Sequence, residues 1–119
     1  MPYSPQVLDH FHHPRCVGAI ARATAVSEAS NPVCGDILKL WASVSGGVIT
    51  KSGFKAEGCV PAVACGSWLA EWIEGKKVSA LALLTASEIE AGLGGLPEVS
   101  KHAAALAESA IHKLLVGLE

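Results

Sequence analysis

Cys34 and Cys59 stand at equal distances from a Gly46-Gly47 pair, the first inside Asn31-Pro-Val-Cys-Gly-Asp36 and the second inside Glu57-Gly-Cys59. If the chain folds back on itself at the two glycines, both thiols arrive at one open end of a hairpin. Facing Cα atoms at such an end lie roughly 4.5–5.5 Å apart. That spacing suits two sulfurs holding one metal ion, and it also permits a disulfide. Asp36 follows Cys34 by two residues and so shares its strand face, where its carboxylate could serve as a ligand or exchange with incoming metal. A turn carboxylate bonding local amides is the plainer alternative for Asp36. Amides at the start of a helix after Cys59, uncrowded backbone at Gly35 and Gly58, and an open hairpin end all favour the thiolate form.

The elements that must position these groups are readable from periodicity. Residues 37–44 alternate branched or aromatic with polar side chains, and residues 48–54 follow the glycine turn, so the two stretches predict paired strands. Shifting the register by one residue from symmetric pairing sets Leu38 against Ala56 and Leu40 against Phe54, and this apolar match is the expected one. Residues 20–26 predict a further strand. Ser4 caps a short helix with Pro5 in its first turn, Val7, Leu8 and Phe11 share one face of it, and Pro14 stops it.

After Cys59 the period changes. Pro61 suits a first helical turn, and residues 62–74 predict a mostly apolar helix ending at Gly75. Ser79 and Ser87 are the expected caps of two short helices, and residues 92–97 read as a loop. Val99, Ala103, Ala107, Ala110 and Leu114 form the apolar stripe of a last helix. Strands first and helices afterwards predict an α+β fold, a small three-stranded antiparallel sheet with helices packed on one face, with residues 1–119 forming one domain.

Half of the 119 residues are apolar and 17% are charged, which excludes a disordered chain. The formal charge of −2 and the scattered Lys51, Lys55, Lys76, Lys77 and Lys101 leave no basic face, so nucleic acid is not an expected partner. No apolar run reaches the ~18 residues of a membrane span and no signal-peptide pattern opens the sequence, so no membrane partner and a cytoplasmic location are expected. In that reducing compartment the four cysteines are more often ligands, reactive thiols or small core residues than disulfides.

Tyr3-Ser-Pro-Gln-Val-Leu-Asp-His10, His13-Pro-Arg-Cys-Val-Gly18, Cys34-Gly-Asp36, Phe54-Lys-Ala-Glu-Gly-Cys59 and Leu106-Ala-Glu108 resemble the IscU/NifU N-terminal iron–sulfur scaffold proteins through nearly the whole chain. The resemblance implies a small sheet with packed helices. It also implies an exposed site of three cysteines and an aspartate, where a transient [2Fe–2S] cluster is built from iron and desulfurase-supplied sulfur and passed to acceptors. A cysteine desulfurase and apo iron–sulfur acceptor proteins are then the implied partners, a homodimer around a shared cluster is compatible with it, and Cys34, Asp36 and Cys59 are the implied site residues. The family's third cysteine follows a histidine, and here Ala103 follows His102 at that place. Leu96-Pro-Glu-Val-Ser100 also departs from the family's chaperone-recognition stretch Leu-Pro-Pro-Val-Lys, which weakens the expectation of a chaperone or co-chaperone contact.

A methyl group binds no iron, so the vacancy at Ala103 directs attention to substitutes. His102 is one, since imidazole is a good ligand for iron or zinc. Cys65 is the other, with a small core residue as its plainer reading. Cys34, Asp36, Cys59 and His102 would make a four-coordinate set of N, S and O donors that suits zinc as well as one iron of a cluster. The leading expectation is a non-enzymatic scaffold. A zinc-binding sulfur acceptor that activates a desulfurase is the alternative, and a thiol–disulfide oxidoreductase a third. Cys16 reads as packing, His10 and His13 as local caps, and Trp41, Trp68 and Trp72 as core.

Overall fold

The computed structural model describes residues 3–31 and 35–118. In chain order it contains α1 (Pro5–His12), β1 (Ala25–Ser30), β2 (Ile37–Ser45), β3 (Val48–Glu57), α2 (Val60–Ile73), α3 (Val78–Leu81), α4 (Ala86–Gly92), a 3-10 turn (Glu98–Ser100) and α5 (Lys101–Leu118). The strands form one antiparallel sheet in the order β1-β2-β3.

Gly46 and Gly47 both have positive φ, 61° and 76°, which makes the tight turn whose twist matches paired strands. Ser45 pairs with Val48 across it. An irregularity between Ser43 and Val44 leaves Thr50 as an extra residue on β3, and from there the register is offset by one, with Leu38 against Ala56 and Leu40 against Phe54. The bulge reconciles a symmetric turn with the expected apolar pairing.

The first strand lies at Ala25–Ser30, later than the expected residues 20–26. Arg22 has φ 59°, a left-handed backbone that interrupts extended structure there. The inward side chains of β1 are Ala25, Ser27 and Ala29, all small because α5 lies close over them: Ser27 Oγ donates to the Ala110 carbonyl at 2.8 Å.

The helices pack on one face of the sheet. Leu38, Leu40, Ile49 and Phe54 of the sheet meet Leu69 and Ile73 of α2 and Ala107, Ile111 and Leu114 of α5 in one core. At Gly66 the backbone of α2 comes so near the sheet that a β-carbon there would stand 2.7 Å from Phe54 and 2.8 Å from Leu38. Trp68 and Trp72 stack with centroids 6.0 Å apart and lean on this core, while Trp41 is nearly covered.

Four expectations need correction. In α1 the buried pair is Val7 and His10, and Leu8 is 41% exposed. His10 is no local cap, since its Nδ1 lies 2.7 Å from Ser67 Oγ of α2, a partner that makes burial of an imidazole tolerable. The caps of α3 and α4 are Lys77 and Thr85 rather than Ser79 and Ser87, and the Thr85 hydroxyl accepts the Glu88 N–H at 3.2 Å. Val99 lies in the 3-10 turn ahead of α5, 80% exposed, and takes no part in the buried stripe. No helix among the described residues is long and apolar enough to cross a membrane.

Candidate metal centre

Because Ile37 pairs with Glu57, the residues just outside that pair, Asp36 and the Gly58-Cys59 step, lie side by side at one end of the sheet. Cys59 is also the N-cap of α2, with extended φ −75° and ψ 166°, and its carbonyl accepts the Ala62 and Val63 amides at 3.0 and 3.3 Å. The first turn of α5 then brings His102 to the same point. The chain therefore delivers an oxygen, a sulfur and a nitrogen donor from a strand entry, a helix cap and a helix start.

Asp36 is 3% exposed, whereas Cys59 and His102 are half-buried. The Cys59 thiol donates to Asp36 Oδ2 at 3.2 Å, the Cys59 N–H donates to Asp36 Oδ1 at 3.3 Å, and His102 Nε2 lies 3.4 Å from Oδ2. Cys59 Sγ and His102 Nε2 are 3.9 Å apart. One donor atom from each residue falls within 4.8 Å of the others, a cluster in which a single small ion can reach all three. A cleft of about 460 Å³, walled by Tyr3, Pro61, Val99 and Ser100, opens onto it.

Burial pushes the Cys59 thiol above its ordinary range, and the hydrogen bond and charge of Asp36 add to the rise; the Ala62 amide pulls the other way without reversing it. The expectation of a resting thiolate is thus corrected: in the metal-free chain the Asp36 carboxylate and desolvation outweigh the helix amides. A bound cation would invert this balance, because it displaces the thiol proton and neutralises the carboxylate.

Residues 2–117 match the family model described as the NifU-like N terminal domain. The chain belongs to that family. Among curated relatives, the NifU-like chain is 36% identical over 114 residues to an iron–sulfur cluster assembly scaffold protein IscU of Archaeoglobus fulgidus, covering 96% of this chain and 74% of the relative. It is 38% identical over 115 residues to the IscU scaffold protein of Rickettsia prowazekii, covering 93% and 87%. The corresponding Haemophilus influenzae protein is 36% identical over 115 residues, covering 93% and 90%. In structure the fold matches a chain described as a scaffold protein for the SUF system from Fervidobacterium islandicum, with TM-score 0.76, 22% identity and 95% and 96% coverage. It also matches the N-terminal NifU-like protein of Brucella abortus, with TM-score 0.65, 17% identity and 96% and 81% coverage.

Of the residues singled out in the sequence of this NifU-like chain, Asp36, Cys59 and His102 come together. Cys34 lies outside the described residues. Cys65 is fully enclosed in the core, and burial drives its thiol up to about 12, so it takes the role of a packing residue rather than of a replacement donor. Ala103 is also fully buried, its methyl part of the core. Cys16 is half-buried with its thiol 3.6 Å from Glu74 Oε2, remote in sequence and setting from the three donors. Cys16, Cys59 and Cys65 are all free thiols. Gly58, expected only to leave the backbone uncrowded, has φ +140° and lies directly against the Asp36 carboxylate.

Proposed function

We propose that this chain is a non-enzymatic scaffold on which iron and desulfurase-derived sulfur are joined into a transient [2Fe–2S] cluster, which then leaves for apo acceptor proteins. The observation that carries the reading is the meeting of Asp36, Cys59 and His102 at the mouth of a cleft, in a chain whose relatives are named as such scaffolds.

The cluster is cargo here, and the donor set suits cargo. A closed shell of four thiolates holds iron statically, whereas a carboxylate and an imidazole are harder, more exchangeable ligands for it. Asp36 stands within hydrogen-bond distance of both the thiol and the imidazole, so it can take up the charge balance when a cation arrives or departs. The half-buried thiol of Cys59 supplies the soft donor and, once its proton is lost, the strongest hold on iron.

The test is anaerobic assembly with a cysteine desulfurase, ferrous iron, cysteine and dithiothreitol as the reductant that takes the transferred sulfur to sulfide, followed by mixing with an apo [2Fe–2S] protein. Visible absorption should grow on the scaffold in step with labile sulfide and then move to the acceptor. A colourless chain that retains zinc tightly and merely accelerates the desulfurase would overturn the scaffold reading.

A further inference from the structure

Gly58 has φ +140°, and a β-carbon built on it would overlap Asp36 Oδ1 and stand 2.6 Å from Asp36 Cγ. The other glycine beside the site, Gly35, also has positive φ but would meet nothing within 4 Å. Gly58 is therefore needed for a close approach as well as for its backbone angle. The group that approaches is a carboxylate of 3% exposure, which is tolerable only where it is hydrogen-bonded. Among its bonds are those from the Cys59 N–H to Oδ1 and from the Cys59 thiol to Oδ2, both on the residue that follows Gly58.

We propose that Gly58 is a positioning residue for the metal centre. The space left by its missing side chain is the seat of the Asp36 carboxylate, and that seat aims Oδ2 at the point where Cys59 Sγ and His102 Nε2 converge. This rests on the reading of the three residues as metal donors. Any side chain at position 58 would push the carboxylate off the Cys59 amide and away from the shared point, while Cys59 and His102 keep their own backbone supports.

Two effects of Gly58→Ala must be separated. Strain from a positive φ is present whatever residue occupies position 36. Overlap with the carboxylate disappears once the carboxylate is gone. A double-mutant cycle isolates the second effect. The full metal-free chain, its Gly58→Ala and Asp36→Ala variants and the double variant are titrated anaerobically with cobalt(II), following the thiolate-to-cobalt charge-transfer band. Denaturant midpoints are measured in parallel.

Gly58→Ala should weaken cobalt binding by about 10- to 100-fold, the usual cost of disturbing a ligand's support. In the Asp36→Ala background the same change should alter affinity by less than about threefold. Equal weakening in both backgrounds, or none in either, overturns the positioning role. If Gly58→Ala does not fold, the double variant decides: folding regained by removing the carboxylate supports the seat, and a double variant that is equally unfolded overturns it. A parent chain with no cobalt–thiolate band overturns the metal-site reading itself and the seat with it. A parent that binds while Gly58→Ala binds equally overturns only the seat.

Discussion

Replacing Asp36 with asparagine keeps the shape of the side chain and an acceptor oxygen for the Cys59 N–H, but deletes the charge whose Oδ2 lies 3.2 Å from Cys59 Sγ. At that separation a carboxylate and a thiolate repel by about 1 kcal/mol in a water-like dielectric and by about 5 kcal/mol at an effective constant near 20. Cys59 is half-buried, so solvent screening holds the fall in the thiol pKa toward the lower of these two bounds. The direction follows from the causes already named: burial raises the thiol first, Asp36 raises it further, and only the second is removed. Each unit of decrease multiplies the thiolate fraction near neutral pH by about ten but lowers intrinsic nucleophilicity by about threefold, leaving a net gain of about threefold in alkylation rate. The assay is iodoacetamide alkylation against pH in the metal-free Cys16→Ser, Cys34→Ser background, where Cys65 is shielded by the core. An Asp36→Asn chain whose apparent Cys59 pKa is unchanged or higher would refute the argument that this carboxylate restrains the thiol.

The imidazole of His10 is held below its ordinary range, chiefly by burial and next by the Arg15 charge. The unfolded chain therefore binds that proton more readily, and stability should fall as pH drops through the unfolded value of about 6.5; urea midpoints should decline less steeply below that pH in His10→Gln. Cys65, pushed to about 12, should resist thiol reagents in the folded protein at neutral pH and react only in denaturant, which mass spectrometry of labelled peptides would report. Gly66→Ala would force a methyl against Phe54 and Leu38. Overpacking of about 1–3 kcal/mol, against a gain of about 1 kcal/mol in helix propensity, predicts a lower urea midpoint, and a raised midpoint would contradict the packing of α2 on the sheet.

The sheet was legible where local pattern and tertiary packing agree. Leu38 and Leu40 announce their partners through apolar matching, and Gly46-Gly47 marks the turn. The first strand was harder, because Ala25, Ser27 and Ala29 owe their places to the close approach of α5 rather than to strand propensity. His10 looked like a cap because its partner Ser67 stands 57 residues away. At the site, the nearness of Asp36 to Cys59 follows from the ends of two paired strands. His102 entered only through family resemblance, since its arrival depends on how α5 packs. The protonation of Cys59 was misjudged for a related reason: helix amides can be read in sequence, but burial and an adjacent carboxylate cannot.

Cys59, with Asp36 and His102 beside it, is proposed to hold iron and sulfide together. The most direct measurement is iron and acid-labile sulfide bound per chain after anaerobic reconstitution of the native protein beside Cys59→Ser. Iron and sulfide are expected in equal amounts on the native chain, with neither retained on the variant. Retention that is the same in both, or a native chain that takes up no iron, would contradict the proposal.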